Sequence, residues 1–299
     1  KLLKKAYKNE QKKEKKEDSL KENESVKRIR EELAKGTSTE EVLKYHSNRI
    51  YVLNFFGNKE ASQVEQFREE ISFLLQVAQP ADEVVVKLNS PGGVVQNYGL
   101  ASSQIARLRQ HEIKCTVCVD LVAASGGYMM AAVADKIVAA PFAIIGSIGV
   151  AAGLPNFHRI LKKNEVDYFM FTAGKYKRTV TPLTEVTEEG QEKMQQDLES
   201  IHQSFKKLIA DHRKEIDIEE VATGEFWLAE EAKEKGLVDE ILTSDDYLFD
   251  KMKDFEIIEI TTEDSRNRIE KLLQGGIELF QSFGRRTSLE DSEIPGLIR

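Results

Sequence analysis

Along the chain, apolar and polar positions separate an unpatterned start from a patterned body. Residues 1–48 are charged, helical in propensity and poor in core residues, with a break over Gly36 to Thr39. There Ser38, with Glu41 three positions on, has the form of a capping box. From Arg49 onward, short β-rich runs alternate with stretches of helical periodicity. The pattern predicts strand Ile50 to Phe56, a helix over about Ala61 to Ala78, strand Glu83 to Asn89, a helix over about Val95 to His111, and strand Lys114 to Asp120. A short helix near Gly126 to Val133 comes next, followed by strand-like Lys136 to Ala139, Ala143 to Ile145 and Ile148 to Ala152. A helix near Asn156 to Lys163 then leads to strand Asp167 to Phe171. Thr187, with Glu188 and Glu189 in the first turn, opens a long amphipathic helix reaching roughly Lys214. Ala229 to Lys235 is a helix stopped by Gly236, Leu237 to Ile241 a short strand, Ile257 to Ile260 a further strand candidate, and Arg266 to Phe283 a last helix. Strands alternating with helices of ~15 residues imply βαβ crossovers and a largely parallel sheet, an α/β fold.

The 299 residues, 40% hydrophobic and 31% charged, are enough for a sizeable core and exclude a collagen-like or wholly disordered chain. Apolar runs such as Tyr128 to Ala134 are far shorter than the ~18–20 residues needed to cross a bilayer. Net charge is −8, which argues against a nucleic-acid partner, since phosphate contacts want a basic surface. Charge is unevenly spread, however. Residues 1–16 hold eight lysines against Glu10 and Glu14, a local +6 that leaves −14 for the remainder. Such a segment is either a solvated lysine-rich tail or a juxtamembrane stretch following a hydrophobic anchor.

Cys115 and Cys118 have Cys-x-x-Cys spacing, but they lie in a predicted strand, where an offset of three puts side chains on opposite faces. They are expected to be buried, to form no disulfide and to share no metal. No cofactor or metal is expected.

Two glycine turns follow strands, where open α/β sheets place their sites. In Asn89-Ser90-Pro91-Gly92-Gly93, Pro91 stiffens a turn whose glycines expose backbone N–H groups suited to developing negative charge. In Ala123-Ala124-Ser125-Gly126-Gly127, Ser125 opens a helix, either as a nucleophile favoured by the helix dipole or simply as an N-cap. A Gly-x-Ser-x-Gly elbow is absent because position 123 is Ala. Of the histidines at 46, 111, 158, 202 and 212, only His158 follows the serine closely enough to tempt as a base. A lysine whose ammonium form is disfavoured by burial would serve equally, and Lys175 and Lys177 in the segment Phe171 to Pro182 are candidates that spacing does not separate.

These residues, taken in order, resemble the signal peptide peptidase A family of Ser–Lys proteases: Asn89 to Gly93, Ser125-Gly-Gly-Tyr with Ala134-Asp135-Lys136-Ile137, Gly146-Ser147-Ile148-Gly149-Val150, the Gly-x-x-Lys turn ending at Lys177, and Ala232-x-x-x-Gly236-Leu237-Val238-Asp239. The likeness covers roughly Ile50 to Leu242. It implies a ClpP/crotonase-like spiral of ββα units that tends to form homo-oligomeric rings. By the same resemblance Ser125 is the nucleophile and Lys177, five residues before Pro182, the general base. Ser147 would orient the lysine, and the N–H groups of Gly126 and Gly93, with Gly92 as the weaker alternative, would form the oxyanion hole. In relatives the lysine can come from a neighbouring subunit.

On this reading the chain has three parts: a basic helical arm over 1–48, a protease domain over 49–243 and a C-terminal extension over 244–299. The expected activity is peptide hydrolysis through an acyl-enzyme, on peptides or unfolded protein such as signal-peptide remnants. The expected location is the bacterial inner membrane, through an anchor upstream of residue 1, with the side of the membrane left open. The competing classes are a crotonase-type acyl-CoA enzyme, which would recruit carboxylates instead of a Ser–Lys pair, and a catalytically weak, ring-forming membrane scaffold.

Overall fold

Strands β1 (Arg49–Phe56), β2 (Glu83–Asn89) and β3 (Lys114–Val119) are buried along almost their whole length, as strands covered on both faces must be. That burial explains why they read as continuous Val/Ile/Leu runs rather than as alternating ones. In the computed structural model, which describes residues 48–262 together with Lys35 and Gly36, they form the middle of a six-stranded parallel sheet. With β5 (Lys136–Ala139), β8 (Glu240–Ile241) and β9 (Glu256–Glu259), the order is β8-β5-β3-β2-β1-β9. The capping box at Ser38 and the helix over Arg266 to Phe283 lie outside the described residues. The chain divides into two units at Ile260 and Thr261, and every element named here belongs to the first.

A second sheet supplies the other half of each repeating unit. β4 (Val122–Ala124) pairs in parallel with β6 (Ile144–Gly146), which pairs antiparallel with β7 (Phe226–Leu228). Three times the chain leaves the large sheet and meets the small one: from β3 into β4, from β5 into β6, and from β2 through Ser90, which bridges Ala123. The first and last of these passages continue into helices α3 (Gly126–Ala132) and α2 (Val95–Gln110) respectively. This is the spiral of ββα units that the family resemblance implied. Helix α1 (Val64–Val77) joins β1 to β2 and buries Val64, Phe67, Ile71 and Leu74, one stripe at helical spacing.

The two faces of the sheet carry separate cores. Cys115 belongs to the larger one with Val84, Val86 and Val117, and Cys118 to the smaller one with Ile50, Val52, Val85 and Val138. The cysteines are therefore on opposite faces, as the strand period requires. Burial, aided by the charges of Asp120 and Glu83, pushes the Cys118 thiol up to about 12, and burial with the Asp135 charge pushes Cys115 higher still, so both are inert thiols.

Residues from Ser244 onward add to this body. Helix α8 (Ser244–Lys251), capped by Thr243, covers the smaller core with Tyr247, and β9 pairs with β1. Beneath α8, Glu83 is 2% exposed and receives hydrogen bonds from Thr116 Oγ1 and Tyr247 Oη, both 2.6 Å, with Lys251 Nζ at 3.3 Å. Burial by itself would raise its pKa. The two hydroxyl bonds and the nearby Lys114 and Lys251 charges outweigh it, so the carboxyl sits below its ordinary value.

Two predicted strands do not form. Ile148 to Ala152 and Asp167 to Phe171 are irregular, and residues 151–157 are exposed. A strand needs a ladder partner, and among the described residues no strand pairs with either segment. Phe169 and Phe171 alternate as strand residues would, yet are 75% and 92% exposed. Helix α4 (His158–Lys163) interrupts this outlying stretch, and α5 (Glu188–His212), with Thr187 Oγ1 accepting from the Gly190 N–H, returns the chain to the body. Helix α6 (Ile218–Val221) precedes β7, and α7 (Ala229–Glu234) ends near Gly236, whose φ of 76° suits only glycine comfortably. No helix among the described residues is long and apolar enough to cross a membrane.

Because the folded pKa of Glu83 is depressed, its contribution is present in full above the ordinary value of 4.5 and is lost as the pH falls from there. Glu83→Gln should cost about 2 kcal/mol at neutral pH, a drop of roughly 4–8 °C in Tm. The gap from wild type should narrow in melts taken below pH 4.5; a gap that widens on acidification would contradict this account.

Candidate active site

The site is assembled from chain segments that leave parallel strands at their C-terminal ends, the place such sheets offer for chemistry. After β1 comes the turn with Lys59, after β2 the turn Ser90 to Gly93, after β4 Ser125, and after β6 Ser147. Together with Val150, Ala151, Thr223 and Gly224 on one side and Leu198, Ile201 and His202 of α5 on the other, they line a groove of about 800 Å³.

Ser125 occupies the N-cap position of α3 without capping it: its side chain makes no bond to the helix. Its φ of 52° with ψ of −119° is a conformation that a side-chain-bearing residue adopts only when the surroundings impose it, at a cost of about 1–3 kcal/mol. The surroundings here are two backbone bonds, from its N–H to the Gly146 carbonyl at 2.8 Å and from the Met129 N–H to its own carbonyl at 2.9 Å. Ser147 is held likewise, at φ 51°, by donating its N–H to the Glu225 carbonyl at 2.6 Å. Two serines in left-handed backbone thus face one groove with no hydrogen bond formed by either hydroxyl among the described residues.

The N–H donors sort themselves by what they already bond. Gly92, at φ 83°, gives its N–H to Ser90 Oγ at 3.1 Å. The N–H groups of Gly93 and Gly126 have no acceptor among the described residues. Gly92 also keeps open the space in front of them. A Cβ added to it would fall 2.6 Å from the Gly126 nitrogen and 2.7 Å from Ser125 Cβ. The gap between nucleophile candidate and backbone donor therefore exists because residue 92 has no side chain. Gly93 is fixed from the other side, where an added Cβ would lie 1.9 Å from the Lys59 carbonyl oxygen, which accepts the Val94 N–H at 2.8 Å.

Of the residues singled out from sequence, Gly92, Gly93, Ser125 and Ser147 line one groove, and Gly126 adjoins it. Lys177 does not line it. It lies on the exposed stretch between α4 and α5, its N–H donating to Gly174, and among the described residues no ion pair or hydrogen bond engages its ammonium group. Lys175 is also exposed and is spoken for, at 2.6 Å from Glu189, whose bond is the chief reason its pKa is raised. His158 begins α4 and faces a different hollow, with Leu161 and Tyr168.

Two groove residues escaped the sequence reading. His202 sits on the apolar stripe of α5 between Leu198 and Phe205, and its Nε2 is buried with no hydrogen-bond partner among the described residues. A histidine at i+4 from Leu198 and i−3 from Phe205 was the available signal. Lys59 carried none, because only the fold brings the turn after β1 beside Gly93.

The family model described as Peptidase family S49 matches residues 107–257, and the one described as Peptidase family S49 N-terminal matches residues 1–105. The chain is 50% identical over 264 residues to Probable protease SohB of Haemophilus influenzae, covering 88% of this chain and 70% of that protein. It is 51% identical over 212 residues to Probable protease SohB of Buchnera aphidicola subsp. Schlechtendalia chinensis, covering 70% of each. Among solved structures, a mutant of the membrane-bound stomatin-specific protease 1510-N aligns with a TM-score of 0.48 at 15% identity, over 73% of this chain and 99% of that one.

Gly93→Ala tests the close approach to Lys59 without touching either serine. The Lys59 carbonyl is held in place by the Val94 N–H, so the substitution should destabilise by about 1–3 kcal/mol, read as a lower thermal midpoint. A wild-type midpoint would mean that the turn is looser than the contact implies.

Proposed function

We propose, for a chain that belongs to peptidase family S49 and is therefore a peptide hydrolase, that it is a serine endopeptidase in which Ser125 is the nucleophile and Lys177 the general base. The observation that carries this is the groove itself: a strained serine with an uncommitted hydroxyl beside two unspent N–H groups, those of Gly93 and Gly126. A peptide carbonyl set between them would place its oxygen where both donors point charge-stabilising dipoles.

The reaction is acyl transfer. The neutral Lys177 amine takes the Ser125 proton as Oγ attacks the carbonyl carbon, and the tetrahedral oxyanion is held by the Gly93 and Gly126 N–H groups. Collapse breaks the C–N bond, and Lys177 returns the proton to the leaving amine. Water then attacks the ester by the same route and releases the acid. Ser147 supports the lysine by a hydrogen bond from its hydroxyl.

Lys177 has to reach Ser125 for this to run. We infer that it does so from a second copy in a homo-oligomer, and the support lies in the stretch that carries it. That stretch is exposed, leaves the Lys177 ammonium unpartnered, and displays Leu154, Phe157, Ile160, Phe169 and Phe171 to the outside. Such apolar surface asks for a protein partner. The groove walls, formed by Val94, Val95, Val150, Ala151, Leu198 and Ile201, suit apolar peptide such as membrane-derived or signal-peptide remnants. The +6 charge of residues 1–16 suits a position against anionic lipid, in keeping with work at the bacterial inner membrane.

Ser125→Ala and Lys177→Ala should each lower peptide cleavage by roughly 10⁴-fold or more, and a serine-directed acylating probe should label Ser125 in wild type alone. Mixing the two inactive variants should recover part of the activity, because a lysine-bearing copy can serve a serine-bearing neighbour. Cleavage that survives Ser125→Ala in a clean preparation would sink the assignment. A mixture as inactive as its components would sink the shared-lysine arrangement but not the dyad.

A further inference from the structure

We propose that Tyr98 is a positioning residue for both oxyanion donors, acting with Ser90: its hydroxyl sets the Gly92–Gly93 turn and its ring sets Gly126. The inference rests on the groove being the protease site described above.

Tyr98 and Ser90 are fully buried, and their hydroxyls are 2.6 Å apart. The direction of every bond around them follows from proton counting. Tyr98 donates its single proton to the Asn58 carbonyl at 2.7 Å, since a carbonyl has none to give. Ser90 must then donate to Tyr98, which leaves a lone pair on Ser90 Oγ to accept the Gly92 N–H. The result is a one-way chain from Gly92 through Ser90 and Tyr98 to the loop after β1. By taking up the Gly92 N–H, it leaves Gly93 as the turn's unspent donor. The phenol stays protonated throughout, because burial and the charge of Glu60 raise its pKa more than the Ser90 bond lowers it.

The ring does a separate job. A Cβ added to Gly126 would lie 2.4 Å from Tyr98 Cγ and 2.8 Å from Tyr98 Cβ, so the Gly126 backbone rests directly on the ring's base. A Cβ on Gly57 would fall 2.4 Å from the Tyr98 hydroxyl, and one on Gly127 would fall 2.5 Å from the Ser90 carbonyl oxygen. Three glycines from two parts of the chain therefore close around this pair. A phenylalanine would fill the ring's space against Phe55 equally well. The hydroxyl is the part that packing does not need and the turn does.

Tyr98→Phe keeps the ring and breaks the chain, so it isolates this role. Misplacing a donor by a fraction of an ångström should lower kcat roughly 10- to 100-fold, with KM within about two-fold of wild type. Affinity for a peptide boronate, whose tetrahedral adduct on Ser125 uses the same donors, should fall by a similar factor. Ser90→Ala should reproduce the pattern. Hydrogen exchange of the peptide spanning Gly92 and Gly93 should quicken by at least about ten-fold in both variants, a readout that needs no activity. Wild-type kcat and boronate affinity in Tyr98→Phe would overturn the proposal, as would a loss expressed in KM alone or unchanged exchange at Gly92. Absence of Ser125-dependent cleavage in wild type would instead overturn the protease reading, and the exchange measurement would still decide whether the hydroxyl holds the turn.

Discussion

Where the chain leaves β2, Ser90 gives its N–H to the Val122 carbonyl at 2.8 Å and takes the Ala124 N–H on its own carbonyl at 3.0 Å. Those two bonds splice the large sheet to the small one, and every part of the groove is located relative to that splice. Downstream of it lies the Gly92–Gly93 turn; across it lies β4, which ends in Ser125; beyond β4 lies β6, whose Gly146 carbonyl fixes Ser125 in its strained conformation. The side chain of the same residue then reaches back to order the turn. Backbone and side chain of one buried serine thus bear on the separation between Ser125 and the Gly93 and Gly126 N–H groups.

This dependence explains why the site can hold strained backbone at all. Left-handed φ at Ser125 and Ser147 costs free energy that a free loop would relieve by moving. Here Ser125 is pinned to Gly146 at the end of β6 and Ser147 to Glu225, the residue before β7, so relief would disturb the small sheet. The large sheet beneath, buried on both faces and closed off by Tyr247, Glu83 and β9, supplies the stability that offsets that strain.

Most of the fold was legible because parallel strands buried on both faces leave a blunt signature: β2 and β5 begin and end at the residues their apolar runs mark. The cysteine pair was legible for a simpler reason, since the two-residue period of a strand decides the faces whatever surrounds it. The turns at Pro91 and Ser125 announced themselves through glycine, whose absence of a side chain is needed at Gly92 and Gly126 for measurable steric reasons. What pattern could not convey was partnership. Ile148 to Ala152 and Asp167 to Phe171 are short apolar runs of strand-like composition, but such a run records a tendency to pair, not the presence of an edge to pair with. The position of Lys177 failed to follow from sequence on the same ground, and His202 and Lys59 belong to the groove only because distant segments converge.

The ring of close contacts around Ser90 and Tyr98 also bears on how such a site can change over time. At Gly57, Gly126 and Gly127 even a methyl group would collide with an atom of that pair. No stepwise enlargement is open there: any one residue can ruin the arrangement, whereas remodelling it would require several coordinated replacements in separate segments at once. The outlying stretch from Ala151 to Val180 has no such close contact with that pair, and its exposed positions accept replacement more readily. Change is thereby turned outward, onto the surface of that stretch, while the packing around Ser90 and Tyr98 is inherited as a block.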